Sequence, residues 1–480
     1  MNAALPANKT KIVATIGPAS ESPEMLVRLI RAGLDVARLN FSHGSPSKHA
    51  EVIRRIREAA RETGRRVAIM ADLPGPKLRL GKIDPEPVQL LPGAHFTLTS
   101  GDIVGNAQRA STTFQQLPRV VKPGNRIFLN DGLVQLVVDR IVGNDVECTV
   151  AVGGELGSRK GLNLPGVNLG ISAFTENDRA CLEFALAHGV DAVSQSFVES
   201  AADMHVVRAA AAKMGKQPFI IAKIERAEAL AHFDDILAAS DGIMIARGDL
   251  GVEVPIEEIA SIQKQLITKT NLAGEPVITA TQMLESMVSS RLPTRAEATD
   301  VANAILDGTD CVMLSGESAV GKFPEEAVTM LAKIAAFTET HRPPRTFLAQ
   351  HEFVQQKPPT RARDRMASLV EHALYTVPCD LVLVPTRGGT VARAISRFKP
   401  PVWIVAPSSD CAVCQNLAFS YGVHSIDLAE EPDDWREWIG RWVRENGVTA
   451  ERVMLVAGPS PRSPKANYRI ELMRLDSEKS

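Results

Sequence analysis

Eight short apolar runs, nearly every one with a polar or charged residue at its end and most separated by stretches of helix length, restrict the fold of this chain more than any other feature. They occupy positions 11–17, 36–41, 67–72, 192–197, 219–225, 241–249, 276–281 and 311–315. Continuous Val, Ile and Leu mark strands buried on both faces, as in a parallel sheet. The intervening patterns are one-sided. In 46–63, Val52, Ile53, Ile56, Ala59 and Ala60 share a helical face, and in 255–272 so do Ile256, Ile259, Ile262 and Leu266. Thr175 with Asp178 reads as a helix-capping pair, and Pro324-Glu-Glu puts proline and acids in a first turn. Eight such units predict a (β/α)8 TIM barrel rather than an open, doubly wound sheet.

In a barrel of this kind the C-terminal strand ends converge on one mouth, where ligands bind. The residues delivered there are Asn40 and Ser42, Asp72, Ser196, Lys223 and Glu225, Arg247 and Asp249, Thr281, and Ser315 with Glu317. Two cations and two carboxylates from neighbouring runs suit a metal ion plus a phosphorylated anion. Glu225 and Asp249 are a fitting pair for Mg2+, which takes one or two carboxylates and leaves the rest to substrate and water. These residues alone equally allow a structural ion-pair set with Lys223 and Arg247. The glycines in Ala246-Arg-Gly-Asp-Leu-Gly251 expose backbone N–H groups at a helix start, a ready anion site. Arg38, Asn40 and Ser42-His-Gly44 bring another cation and hydroxyl.

At 480 residues the chain exceeds one hydrophobic core. Between positions 81 and 168 helical periodicity gives way to turn signals such as Leu91-Pro-Gly-Ala and Lys122-Pro-Gly-Asn, which predict a small all-β, barrel-like lid inserted after the third strand. Proline pairs near 343 and 358 predict a linker. Apolar runs at 381–385, 402–407, 423–427 and 453–457 predict a C-terminal α/β domain with a mostly parallel sheet, and 468–474 a closing edge strand. The expected domains are 1–80 with 169–342, then 81–168, then 343–480. A net charge of −2 argues against a nucleic-acid or membrane surface. The first residues lack a signal-peptide core and no run reaches the ~20 residues of a membrane span, so a cytoplasmic protein is expected. Cys411 and Cys414 have redox or zinc spacing without a second pair, and read as ordinary thiols.

The motifs at the strand ends resemble those of the pyruvate kinases. They are Lys11-Ile-Val-Ala-Thr-Ile-Gly-Pro18, Arg38-Leu-Asn-Phe-Ser-His-Gly44, Asp72-Leu-Pro-Gly-Pro-Lys-Leu-Arg79, Lys160-Gly-Leu-Asn-Leu-Pro-Gly166, Ile221-Ala-Lys-Ile-Glu225, Ala246-Arg-Gly-Asp-Leu-Gly251, Thr279-Ala-Thr-Gln-Met-Leu-Glu-Ser-Met287 and Leu314-Ser-Gly-Glu317. They cover the barrel and the ends of the insertion, in the family's order. The resemblance implies phosphoryl transfer from phosphoenolpyruvate to ADP, then protonation of the enolate to pyruvate. It implies Lys223 and Arg38 on the phosphoryl group, and Glu225 and Asp249 on Mg2+, for which Mn2+ substitutes. The Arg247-Gly248-Asp249 backbone receives the substrate carboxylate, and Thr281 takes part in protonation through water. Asn40, His43, Arg79 and Lys160 contact nucleotide, and Ser196, Ser315 and Glu317 stand behind these groups. The resemblance further implies a homotetramer.

Two positions depart from the family's pattern. Where many members place a Thr and a Glu that serve a monovalent cation, this chain has Leu73 and Lys77. Leucine cannot ligate a cation and the Lys77 ammonium supplies the missing charge, so K+ independence is expected. Pro385-Thr386-Arg387-Gly388-Gly389-Thr390 ahead of a helix suits a phosphorylated effector, although the loop at 458–465 is stiffened by prolines. Two other classes stand beside the kinase reading: a metal-dependent pyruvate-enolate aldolase or lyase, which has no need of Lys223, the lid, Arg79 or Lys160, and a non-catalytic effector-binding homologue, which is expected to have lost a member of the Lys223/Glu225/Asp249/Thr281 set.

Overall fold

The computed structural model describes residues 5–76, 78–342, 361–459 and 465–475. The eight apolar runs become eight parallel strands: β1 (Lys11–Thr15), β2 (Leu34–Asn40), β3 (Ala68–Leu73), β4 (Ala192–Gln195), β5 (Phe219–Ile224), β6 (Gly242–Ala246), β7 (Val277–Ala280) and β8 (Cys311–Leu314). They close into a barrel in the order β1-β8-β7-β6-β5-β4-β3-β2. Nearly every strand residue is buried, because the barrel packs side chains inside and helices outside. The helix Pro46–Thr63 shows why the outer layer forms. Ser45 caps its N-terminus, Pro46 opens it, Gly64 closes it with a left-handed φ of 65°, and Val52, Ile53, Ile56 and Ala59 are buried against the sheet. Each fully buried Val or Ile there contributes roughly 1.5–3 kcal/mol.

The run 241–249 is strand only as far as Ala246, the last residue paired with β7 through Ala280, and Arg247–Glu253 forms the helix whose start was expected within 246–251. Without a further ladder partner, the free backbone groups are satisfied helically. One element differs from expectation: the pattern at 255–272 begins as a 3-10 turn, Ile256–Glu258, before the α-helix Ile259–Ala273.

The insertion between β3 and β4 has its own core, including Phe96, Leu98, Leu129 and Val146. Its six strands run Leu162–Asn163, Arg126–Leu129, Val134–Val142, Asp145–Val152, His95–Thr99 and Arg109–Ser111 across one curled sheet, beside a two-stranded sheet of Val88–Leu90 and Gly154–Leu156. The turn after Leu129 has left-handed Asn130 and Asp131, and puts Gly132 against Val252 of the helix that follows β6. The insertion therefore reaches the barrel mouth.

The C-terminal sheet orders its strands Val423–Asp427, Trp403–Ser408, Leu381–Leu383, Arg452–Ala457 and Arg469–Arg474. Four are parallel and the last is the expected antiparallel edge. This sheet lies beneath the barrel, opposite the mouth. Phe419 stacks on Phe219 at 5.3 Å, Lys399 pairs with Asp310 at 2.7 Å, and the Lys11 ammonium donates to the Val423 carbonyl at 2.9 Å. Lys77, most of the expected linker and residues 460–464 of the proline-rich loop lie outside the described residues.

Candidate active site

Asp72, at the end of β3, organises the mouth. Strand pairing sets Thr15 beside Arg38 and Asp72 beside Ser194. The Asp72 carboxylate accepts from Arg38 Nε at 2.9 Å, from a second Arg38 nitrogen, and from Ser194 Oγ at 2.7 Å. Arg38 also donates to Thr15 Oγ1 at 2.7 Å. Lys223 Nζ lies 3.4 Å from Asp72 and 3.3 Å from Glu225, and donates to Ser196 Oγ at 2.7 Å. All of this is buried. Burial would raise the Asp72 carboxyl's pKa, but Lys223 and Arg38 hold it below the ordinary value. Burial would lower that of Lys223, but Asp72 and Glu225 hold it above. Lys223 is thus a fixed cation.

Glu225 and Asp249 show the opposite behaviour. Burial pushes the Glu225 carboxyl up, Lys223 relieves this only in part, and the like charge of Asp249 adds to it. Asp249, in the first turn of Arg247–Glu253, is also pushed up by burial, with Lys223 opposing and Asp131 adding. One Glu225 oxygen accepts the Phe197 N–H at 2.7 Å, while Oε2 is buried with no hydrogen-bond partner. Two neighbouring carboxyls that resist ionisation together, Glu225 buried with an oxygen that faces Lys223 but accepts no hydrogen bond and Asp249 open to the mouth, fit a divalent cation that removes both costs. Among the described residues no group of three or more His, Cys, Asp and Glu side chains forms a metal cage. Substrate and water oxygens are therefore needed to complete coordination.

Thr281, just past β7, carries a φ of 69°, and Gln282 follows at 54°. A β-branched residue held there costs about 1–3 kcal/mol, strain that collects at functional sites. Its hydroxyl donates to the Ala280 carbonyl at 2.6 Å and accepts the Gly248 N–H at 2.7 Å. The Arg247 guanidinium does not face the mouth openly; it is committed to Asp300, Gln263 and the Thr281 carbonyl. What Arg247 offers a ligand is its backbone.

The expected nucleotide residues fall in two places. Asn40 and His43 share the turn after β2, where Asn40 Oδ1 accepts the Ser42 N–H at 3.0 Å. Arg79 and Lys160 meet at the root of the insertion, where Leu80 donates to the Lys160 carbonyl at 2.9 Å and Arg79 to the Arg159 carbonyl at 3.1 Å. Leu73 is wholly buried in the cluster of Phe174, Leu182, Val193 and Val198. Of the residues behind the site, Ser196 touches Lys223, and fully buried Glu317 accepts the Leu284 and Ser315 N–H groups. In the C-terminal domain, Gly389 has a φ of 72° and donates to Thr386 Oγ1 at 2.9 Å. Thr386 and Arg387 line a cleft of about 450 Å³ with Glu430, Glu431 and Trp435. Cys411 and Cys414 are free thiols at the start of a short helix.

Sequence reasoning noted Asp72 only as a polar strand end and missed Thr15, Ser194 and Asp300. Strand register pairs Thr15 with Arg38 and Ser194 with Asp72, so a correct register prediction was the signal available. Asp300 carried none.

The chain matches the family described as pyruvate kinase, barrel domain, over residues 7–328, and that described as pyruvate kinase, alpha/beta domain, over residues 364–468. The chain belongs to the pyruvate kinase family. It is 50% identical over 427 residues to a pyruvate kinase of Thermococcus litoralis, covering 89% of this chain and 90% of that one. It is 38% identical over 480 residues to one of Mycobacterium intracellulare, covering 98% of each. The crystal structure of a pyruvate kinase from Cryptosporidium parvum superposes with a TM-score of 0.91 at 36% identity, covering 98% of this chain and 97% of that one. The protein is a phosphotransferase of this family, which works with a divalent metal. The aldolase reading has no support. No helix among the described residues is long and apolar enough to cross a membrane.

Proposed function

We propose that this member of the pyruvate kinase family transfers the phosphoryl group of phosphoenolpyruvate to ADP with Mg2+, and then protonates the enolate to pyruvate. The single observation that carries the reading is the buried Lys223 ammonium, fixed between Asp72, Glu225 and Ser196, where Glu225 Oε2 accepts no hydrogen bond. Phosphoryl transfer needs positioning and charge neutralisation more than covalent help. Lys223 and Arg38 hold the phosphoryl group, and the backbone at Arg247–Asp249 receives the carboxylate, with the Gly248 N–H kept for the Thr281 hydroxyl. Glu225 and Asp249 hold the divalent cation, Mg2+ or Mn2+, which when bound neutralises charge on the transferring oxygens. As the P–O bond to phosphoenolpyruvate breaks, the electron pair stays on the enolate oxygen. That oxygen becomes a carbonyl as C3 takes a proton from water relayed at the Thr281 hydroxyl. Asn40, His43, Arg79 and Lys160 bind ADP, and the insertion, residues 81–168, excludes water.

Lys77 stands in for a monovalent cation, so K+ is dispensable. The cleft beside Thr386–Thr390 takes a phosphorylated effector, although Glu430 and Glu431 on its wall narrow the choice. A cytoplasmic homotetramer of three-domain chains, divided at about residues 80, 168 and 342, rests on the resemblance. The test is pyruvate formation coupled to lactate dehydrogenase, with ADP omitted as control. ADP-dependent turnover is expected. Turnover without ADP, or none with it, sinks the reading.

A further inference from the structure

We propose that Asp300 is a positioning residue for the protonation half of the reaction, acting through Arg247 on Thr281. This rests on the role given to Thr281 above. Asp300 lies on the helix Arg295–Asp307, whose start is fixed by a capping box of Thr294 and Glu297. Its two oxygens take both terminal nitrogens of Arg247, at 2.8 and 2.7 Å. The same guanidinium donates to the Thr281 carbonyl at 2.8 Å, reaches the Ala280 carbonyl at 3.4 Å, and touches Met283 Sδ at 2.8 Å. Among the described residues its other side-chain oxygen partner is neutral, Gln263 at 3.1 Å.

The contacts converge on the segment where two successive non-glycine residues, Thr281 and Gln282, hold left-handed backbone angles. Such a conformation persists only when its surroundings over-determine it. The Thr281 carbonyl is gripped from below by Arg247, and its hydroxyl is held by Gly248 N–H and the Ala280 carbonyl. Gly248 follows Arg247 directly, so one arginine fixes both the strained residue and the amide that orients its hydroxyl. A bidentate, charge-assisted pair gives that arginine one geometry. Lys223, Glu225 and Asp72 share none of these hydrogen bonds. Loss of Asp300 should therefore disturb proton delivery far more than phosphoryl transfer.

In the partial reaction, pyruvate C3 loses a proton to solvent by way of the Thr281 hydroxyl. The C–H electron pair becomes the C=C bond, and the carbonyl becomes the enolate; the return step restores a solvent-derived hydrogen. Exchange of the methyl hydrogens in D2O with Mg2+ and ATP, followed by proton NMR, reads this step alone.

The full-length Asp300→Asn protein should exchange more slowly by about 10- to 100-fold, since misplacement on the order of 1 Å costs that much. Its KM for phosphoenolpyruvate and its rate of ADP phosphorylation should stay within a few-fold of the unmodified protein. Unchanged exchange overturns the proposal. So does an equal loss in exchange and phosphorylation, which marks Asp300 as a prop for the whole site. If Asp300→Asn does not fold, Asp300→Glu, which keeps the charge and displaces the fork, is judged by the same ratio. An unmodified protein with no ADP-dependent turnover refutes the parent reading instead.

Discussion

Lys223 is an unusual lysine because it is buried with two carboxylates and two hydrogen-bonding serines close by, Ser196 directly and Ser194 through Asp72. A cation so fixed spends no reorganisation when charge develops on a substrate. Arg38 is fixed the same way, by Asp72 and Thr15. Asp72 therefore supports two cations at once, which explains why it stays ionised despite complete burial. The third positive charge assigned to the mouth, Lys77, is argued from sequence. Leu73 has no ligating atom in its side chain, which is buried among Phe174 and Val193, so that side chain cannot serve a monovalent cation. Replacing Lys77 with Glu should abolish most activity in sodium buffer and restore part of it when K+ is added. Absolute dependence of the unmodified protein on K+ would contradict this assignment.

Among the elements, β5 and the helix Arg247–Glu253 bear the most on function. Arg226, next to Glu225, is wholly buried and donates to the Val167 carbonyl where the insertion returns to the barrel. It lies 3.3–3.5 Å from Glu199, Glu228 and Glu253. Three carboxylates around one guanidinium leave negative charge in excess. Burial, opposed by Arg226 and reinforced by Glu228, pushes Glu253 up to about 7. Its folded pKa thus exceeds its unfolded one. The stability it lends is complete below about 4.5 and is lost as pH rises to about 7. Glu253→Gln, which resembles the protonated form, should leave thermal stability at pH 4.5 nearly unchanged. At pH 8 it should raise stability by about 1–3 kcal/mol. A larger gain at the lower pH would reverse the assignment. The elements themselves were legible where periodicity and caps agreed, as in Pro46–Thr63 and the capping box of Thr175 and Asp178. In 241–249 the glycines marked a helix start, but composition does not reveal the residue, Ala246, at which the strand loses its partner.

Over the whole molecule, the proposed site and the attachment to the C-terminal domain occupy opposite ends of one barrel. The mouth gathers Lys223, Glu225, Asp249 and Thr281, with the insertion reaching it through Gly132. The floor is bound to the C-terminal domain by the buried pair Lys399–Asp310 and the Phe219–Phe419 stack. The layout of barrel, β insertion and α/β domain was readable in sequence, since each has its own hydrophobic period. The ion-pair partners were not: Asp72 and Lys223 are 151 positions apart (223 − 72), and only closure of the barrel makes them neighbours. On the proposed reading, this enclosed cation drives phosphoryl transfer. The most direct measurement is ATP formation by the full-length Lys223→Met protein at saturating phosphoenolpyruvate, ADP and Mg2+, on material whose circular dichroism matches the unmodified protein. The rate should fall about a thousandfold, the scale of losing one charge-stabilising donor or cation. A rate within about tenfold of the unmodified protein would contradict the claim.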